Sequence, residues 1–351
     1  MSDKVFKTYD EQIELLRIRG LRIDDIDTAM RALCDDSYYN VINGYKLLFV
    51  LRKDERGNDV YKPRASFEEI FSLFTFDTAL RKSCFGAILE SERRVKSILA
   101  YEFAKRYGHI HTTYLDRANF EAVPLPIDAS KPDPQWHTPA WMTEQKWKGS
   151  PSGAPAAFTR TYAIKMIEAV DKNIREALGT QNSSIKHYMD QYGYLPPWVL
   201  VNILTMGTTT QFYRCMHMQD RQKVSVRFNS KPGILWEQLV ILTLFRNYCA
   251  HGVRLYEFRL ADGHSAPTTP WDRLTGQSAT HSCTYYDRHT RVFCLLPILR
   301  ALLPVDSVRQ LCSEVNKHLR ALEPQLDAIS IADVMQQMGF PDDWQRIQEN
   351  A

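Results

Sequence analysis

A pattern of apolar residues at helical spacing runs from Ser66 to about Tyr107 and limits the fold more than any other part of the sequence. An apolar residue recurs every three or four positions, and charged residues such as Glu90 and Arg93 lie between them. This period is typical of an amphipathic α-helix. A capping box, Ser66-x-x-Glu69, stands at its start. The pattern predicts one very long helix, or two helices joined near Phe76-Asp77.

Helical patterns also dominate the rest of the chain. A second capping box, Thr8-x-x-Glu11, begins a helix at the N-terminus. Five further ranges show helical spacing: Phe158 to Leu178, Pro197 to Met218, Gly233 to Ala250, His289 to Leu303, and Val305 to Leu322. Strand signals are few, and the best short candidate is Val224 to Phe228. The sequence therefore predicts an all-α fold.

Two irregular stretches interrupt the helical patterns. Prolines, tryptophans and glycines break any period between Val123 and Pro155, and a second irregular stretch covers Ala261 to Ser282. At 351 residues, 44% of them hydrophobic, the chain can form one large domain or two modest ones. We expect an N-terminal helical region over residues 1–65. A larger helical domain would follow over 66–351, with an irregular excursion at about 120–157.

Composition narrows the class of protein further. No window approaches the roughly 20 apolar residues that a membrane span requires, so we expect a cytoplasmic protein without membrane contact. The seven cysteines are scattered without a C-x-x-C pair, which favours reduced, buried thiols. Zincin, Walker, dinucleotide-binding and nucleophile-elbow motifs are absent, so neither a metal nor a cofactor is expected. A net charge of +3 leaves the partner open.

Arg246 and His251 form the strongest candidate for chemistry, near the predicted end of an apolar helix. A guanidinium binds phosphate oxygens as a fixed fork, and an imidazole can accept and donate a proton near neutral pH. This pair can therefore cleave a phosphodiester without a metal. Asn247 follows the arginine, and Gly252 is a typical helix stop. Two other pairs share the spacing but contain glycine and are predicted to lie in loops: Arg106 with His111, and Arg259 with His264.

A plainer interpretation of the same pair stays open. On spacing alone, His251 capping the last helix carbonyls and Arg246 pairing with an acid is the favoured alternative. The aromatic motifs Ser37-Tyr38-Tyr39 and Gly44-Tyr45-Lys46 could stack bases, although packing between helices is favoured. Eight basic residues could contact phosphates, although interspersed glutamates favour a solvated face: Arg93, Arg94, Lys96, Lys105, Arg106, Lys223, Arg227 and Lys231.

Several short motifs follow one another along most of the chain: Tyr9-Asp10-Glu11-Gln12-Ile13, Ser37-Tyr38-Tyr39, Gly44-Tyr45, Phe76-Asp77-x-x-Leu80-Arg81, Ile88-x-x-x-Glu92, Leu195-Pro196-Pro197-Trp198, Phe245 to His251, and Arg254-Leu255-Tyr256. Their order resembles the AbiD/AbiF-like abortive-infection proteins of bacteria, which are members of the HEPN superfamily. Departures are Gly252 and Glu257, where the family often has a second histidine and an asparagine.

The resemblance implies a HEPN-type helical bundle, and R-N-x-x-x-H as the signature of a metal-independent ribonuclease. Arg246 would then hold the scissile phosphate, His251 would act as general base or acid, and Asn247 would orient the arginine. Arg254 would join the residues that contact RNA. The resemblance also implies a homodimer with a composite site, and an antiviral toxin that a small structured non-coding RNA can inhibit. The alternative from another class is a non-catalytic protein that binds such an RNA.

Overall fold

The computed structural model describes residues 5–121, 162–180, 183–260 and 289–349. Thirteen α-helices dominate these residues and confirm the predicted all-α class. They are α1 (Tyr9–Ile18), α2 (Ile26–Tyr38), α3 (Phe67–Tyr107), α4 (His111–Leu115), α5 (Tyr162–Gly179), α6 (Ser183–Tyr192), α7 (Pro197–Leu200), α8 (Met206–Cys215), α9 (Met218–Val226), α10 (Pro232–Ala250), α11 (Leu295–Leu302), α12 (Val305–Leu322) and α13 (Ile331–Met338).

The chain forms two compact units. The first comprises Met1–Ile98 and Val224–Ala351, and the second comprises Leu99–Lys223. Residues 1–65, which the sequence sets apart as an N-terminal region, group with the first unit, and the predicted division at residue 65 stays a prediction. The stretch Ala261 to Ser282 and nearly all of the excursion at 120–157 lie outside the described residues.

Helix α3 is a single element of 41 residues, which decides between the two predicted alternatives. Its start has the predicted capping box, in which the backbone N–H of Glu69 donates to Ser66 Oγ at 3.2 Å and the backbone N–H of Ser66 donates to Glu69 Oε2 at 3.1 Å. The helix ends before Gly108, which has a φ of +87°. That conformation is accessible to glycine and stops the helix.

Carboxylates interrupt the buried face of α3. Most buried residues on this face are apolar, as the period of the sequence predicts. Four of the positions are nevertheless acidic and buried: Glu69, Asp77, Glu92 and Glu102. A buried charge is costly unless it is paired, so each of these carboxylates needs a partner.

The structure corrects three of the predicted elements. The range Val224 to Phe228 is not a strand, because α9 extends to Val226 and a turn follows it; Val224 and Phe228 are both buried. Pro197 to Met218 is not one helix but two, α7 and α8, with Thr205 capping the second through its side chain. His289 to Leu303 becomes a 3-10 turn, Val292–Cys294, followed by α11.

A two-stranded antiparallel ribbon, β1 (Val50–Lys53) with β2 (Asp59–Tyr61), has no counterpart in the sequence prediction. β1 is largely exposed, so it carries no alternation of apolar and polar residues. The turn itself had a readable signal. Asp54 Oδ1 accepts from the backbone N–H of Arg56 at 2.9 Å and of Asn58 at 2.7 Å, and Gly57 has a φ of +78°.

The second unit has an aromatic and aliphatic interior. Phe103 of α3, Phe120 and Phe212 of α8 pack with ring centroids 5.0 to 5.7 Å apart. A separate buried cluster joins α5, α6 and α7 through Ala177, Ile185, Leu195 and Val199. Across the described ranges, no helix is both long and apolar enough to cross a membrane.

Candidate functional site

The end of α10 presents the Arg/His motif. The helix begins with Pro232 at a first-turn position and ends at Ala250, with His251 as the C-cap. The backbone N–H of Val253 donates to Tyr248 O at 3.0 Å, and Gly252 adopts a φ of +67°. These features define a Schellman motif. Gly252 is therefore the helix stop that the sequence predicts.

A carboxylate from α3 holds Arg246. Glu92 Oε2 lies 3.8 Å from Arg246 Nε, and Glu92 Oε1 accepts a hydrogen bond from Lys96 Nζ at 2.5 Å. Arg246 therefore does pair with an acid, as the alternative interpretation of the motif, a helix cap and an ion pair, requires. The 3.8 Å separation nevertheless exceeds hydrogen-bond length, and neither Arg246 Nε nor Glu92 Oε2 has a hydrogen-bond partner among the described residues. Charge positions the guanidinium, whose Nε is buried against Glu92 while the side chain as a whole stays 33% exposed.

His251 and Asn247 lie at the surface. Both side chains are exposed, whereas the side chain of Arg246 is 33% exposed. In the part of the chain that the structure describes, no hydrogen bond engages the His251 ring, and none joins it to Arg246. The last helix carbonyls are met by backbone N–H groups of residues 251 to 253 instead. The capping role of the imidazole is thus absent, and the ring is accessible.

Asp77 anchors the segment that follows His251. Its carboxylate accepts from the backbone N–H of Leu255 at 3.0 Å and of Tyr256 at 2.6 Å. It also accepts from Tyr45 Oη at 2.7 Å and from Arg81 Nη1 at 3.0 Å. Burial raises the pKa of Asp77, while the hydrogen bonds and the Arg81 charge act in the opposite direction. The carboxylate therefore fixes the chain just beyond the motif.

The aromatic ring of Tyr256 completes this anchor. It stacks on Tyr45 with the centroids 5.1 Å apart, and its hydroxyl donates to Gly44 O at 3.4 Å. Arg254 Nη1 donates to Asn43 O at 3.2 Å, and Arg254 Nε pairs with Glu257 at 2.9 Å. Packing is thus the role of Tyr45, as the sequence favours, whereas Tyr39 is 68% exposed.

The basic residues expected to contact RNA have different surroundings. Arg93, Lys223, Arg227 and Lys231 are exposed, and Lys223 Nζ lies 3.6 Å from Asp220 Oδ1. Arg94 is half-buried. Its Nη1 donates to Leu302 O at 2.6 Å, and its guanidinium lies 5.5 Å from the centre of the Phe228 ring. A role in RNA contact stays a prediction for the whole set, and Arg254 is included in it.

The other two pairs of the same spacing have different settings. Arg106 Nη1 donates to Asp220 Oδ1 at 2.8 Å, and Gly108 separates Arg106 from α4, which begins at His111. Arg259 is exposed, and its partner in spacing, His264, lies outside the described residues. Context therefore distinguishes Arg246 and His251 better than spacing does.

Asp77 and Glu92 received no role from the sequence, although both belong to the motifs of the family resemblance. The sequence did carry a signal for their burial, although the prediction did not use it. Asp77 and Glu92 continue the three-to-four residue period of the apolar positions of α3, and this spacing indicates burial and a need for partners. Among the described residues, no group of three His, Cys, Asp or Glu side chains could hold a metal ion.

The fold and the motif define an all-α protein with an arginine and a histidine at the end of an apolar helix. A family model described as Abi-like protein matches residues 31–257, more than half of the chain. The chain therefore belongs to the Abi-like protein family, which confirms the predicted abortive-infection family. The matched range includes α3, α10 and the Asp77 anchor, and ends one residue beyond Tyr256. No curated protein and no solved structure matches the chain.

Proposed function

We propose that this Abi-like protein is a metal-independent endoribonuclease of the HEPN type that cleaves RNA during abortive infection. Family membership supports the role in phage defence. One observation carries the chemistry. Arg246 and His251 lie at one helix end, and within the described ranges neither side chain donates or accepts a hydrogen bond. A guanidinium and an imidazole without hydrogen bonds to protein can engage a phosphate and a ribose hydroxyl.

The reaction is an internal transfer. His251 accepts the proton of the ribose 2'-hydroxyl, and the 2'-oxygen attacks the adjacent phosphorus as the bond to the 5'-oxygen breaks. A proton from a second acid, supplied by the other protomer of a homodimer, goes to the leaving oxygen. The products are a 2',3'-cyclic phosphate and a 5'-hydroxyl end. Arg246 donates to the non-bridging oxygens, where negative charge develops in the transition state.

The surrounding residues support these roles. Glu92 and Lys96 form a largely buried ion pair beside Arg246, so the guanidinium is held by charge and not by a hydrogen bond. Asn247 is exposed and adjacent, and its amide can contact the phosphate or orient the arginine. The Asp77 anchor fixes the chain after His251, which limits the positions that the imidazole can adopt.

The test is cleavage of total RNA in EDTA after removal of any RNA that co-purifies. We expect the wild-type protein to leave cyclic-phosphate ends. His251→Ala and Arg246→Ala should each reduce cleavage by about 100-fold or more, the range typical of removing a general base or a charge-stabilising donor. Arg259→Ala is the matched control, since its spacing to His264 repeats the motif in sequence, and it should cleave as the wild type does.

Retained cleavage in His251→Ala would contradict the assignment. The alternative function predicts a different pattern: a discrete small RNA that co-purifies with the wild-type protein, is not cut, and leaves no new ends in total RNA. That result would identify an RNA-binding protein with no nuclease activity, in which the Arg246 and His251 variants lose the bound RNA.

A further inference from the structure

A series of six aromatic and imidazole rings lies in the second unit, away in sequence from the Arg/His motif. Successive ring centroids are 5.6 to 6.4 Å apart along the series, which we call the ring series. Its members, in spatial order, are His187, Tyr188, Tyr192, Tyr194, His109 and Trp198. We propose that the ring series is a stacking platform for single-stranded RNA.

The buried cluster of the second unit holds the ring series in place. Tyr188 packs against the buried cluster that joins α5, α6 and α7. Leu195 belongs to that cluster, and its carbonyl accepts a hydrogen bond from Tyr114 Oη at 2.9 Å. Gly193, with a φ of +74°, turns the chain after α6, so that Tyr192 and Tyr194 become neighbours in the series. The rings are therefore held by the fold before any ligand arrives.

The outer rings are open to ligands. Tyr192 is 51% exposed and Trp198 is 52% exposed, and His109 and His187 are exposed as well. Exposed aromatic rings at close spacing are what single-stranded RNA requires, because each base offers a face that stacks on a ring. Such stacking is tolerant of sequence.

Neighbouring side chains favour RNA over a protein partner. The aliphatic residues of this region, such as Ile185 and Val199, are buried, and the large apolar side chains exposed between 183 and 200 are Tyr192 and Trp198. Ile110, beside His109, is also exposed. The exposed large side chains of the surface are thus mainly rings with polar edges, with one aliphatic residue among them. Lys186 is exposed beside His187, whereas Asp190 contributes the opposite charge. Because this charge is nearly balanced, stacking must supply most of the affinity.

The inference rests on the proposed function, since that function makes RNA the ligand. It adds a second RNA contact outside the Arg/His motif. This contact would bind single-stranded RNA without sequence specificity. Cleavage and binding are separable. The Arg246→Ala/His251→Ala variant serves as the background, so that bound RNA remains intact during the measurement.

The experiment measures the anisotropy of fluorescein-labelled 20-nucleotide oligouridylate and oligoadenylate. In the Arg246→Ala/His251→Ala background, we expect Tyr192→Ala and Trp198→Ala each to weaken binding by about tenfold, as removal of one stacking ring does. Tyr192→Phe and Trp198→Phe should retain most of the affinity, because the ring remains. Tyr101→Ala is the matched control, an exposed tyrosine of the same unit outside the ring series, and should bind normally.

Salt and oligomeric state separate the remaining outcomes. Stacking releases few counterions, so the weakening should persist when salt is raised. Unchanged affinity in both alanine variants overturns the platform, even if the wild type cleaves RNA. A change of oligomeric state in sedimentation, with RNA affinity unchanged, overturns it in favour of a protein interface. Ring-dependent binding without cleavage by the wild type supports the platform and contradicts the nuclease.

Discussion

At the scale of single residues, Asp77 explains why distant motifs occur together in this sequence. Four donors converge on its carboxylate, from Tyr45 after α2, from α3 itself and from the segment after His251. The short motifs around Tyr45, Arg81 and Tyr256 are therefore parts of one structural anchor. Their order along the chain is recognisable from sequence, but their shared partner is not, because residues 77 and 255 are far apart in the chain.

Removing the Asp77 carboxylate should destabilise the first unit. Asp77→Ala leaves the buried donors without an acceptor and Arg81 without its charge partner. Breaking a buried, hydrogen-bonded ion pair costs about 3–5 kcal/mol. Urea unfolding measures the change. Asp35→Ala, at an exposed aspartate, should stay within about 0.5 kcal/mol of the wild type. Equal stability of Asp77→Ala and Asp35→Ala would show that the anchor contributes little.

Glu92 should act on cleavage through Arg246. Glu92→Gln keeps the shape of the side chain but removes the charge that lies 3.8 Å from the guanidinium. We expect the rate of cleavage to fall about tenfold, because the guanidinium of Arg246 is no longer held in position. The oligonucleotide should still bind, because Arg246 itself remains. Glu90→Gln is the control on the same helix. If Glu92→Gln cleaves as fast as Glu90→Gln does, the Glu92 carboxylate does not position Arg246 for cleavage.

The candidate pair itself was predictable from residue types, whereas its surroundings were not. Arg246, His251 and Gly252 were visible as a guanidinium, an imidazole and a helix stop within seven positions. The exposure of His251 and the 3.8 Å gap to Glu92 depend on how α10 packs beside α3, which no local pattern specifies. The sequence could therefore name the chemistry but not the residue that holds the arginine.

At the scale of elements, the prediction succeeded where helices are long and strongly periodic. Val305 to Leu322 has the bounds of α12, and the α3 pattern gave the longest helix. It failed where short elements meet. The alternation in Val224 to Phe228 is too brief to exclude a helix, and both faces of β1 lack the contrast that marks a half-buried strand. Tertiary packing decided these segments.

Two glycines in helical settings should respond oppositely to the same substitution. Gly252 has a φ of +67° at the end of α10, so Gly252→Ala should cost about 1 kcal/mol, although no atom blocks the new methyl group. Gly86 lies in the middle of α3 with open space beside it, so Gly86→Ala should stabilise by about 0.5–1 kcal/mol. Thermal unfolding of both variants checks the signs, and two changes of the same sign would contradict the assigned backbone conformations.

At the scale of the whole molecule, the family match covers α3 and α10 together, so the Arg/His motif and the Asp77 anchor both lie within the range that the family shares. The homodimer with a composite site comes from the family resemblance and stays a prediction. The Arg/His motif of each chain supplies one imidazole, which gives a physical reason for it. Internal transfer needs both a base and an acid, and a second chain can supply the missing group.

Mixing two inactive variants tests whether the site is shared between protomers. In a symmetric dimer that uses Arg246 of one chain with His251 of the other, Arg246→Ala and His251→Ala together leave one intact site in each mixed dimer. Random exchange makes half of the dimers mixed, so we expect about a quarter of the wild-type cleavage. Each variant alone should stay inactive. If exchange is demonstrated by native mass spectrometry and cleavage is still absent, a site built from Arg246 of one chain and His251 of the other is contradicted.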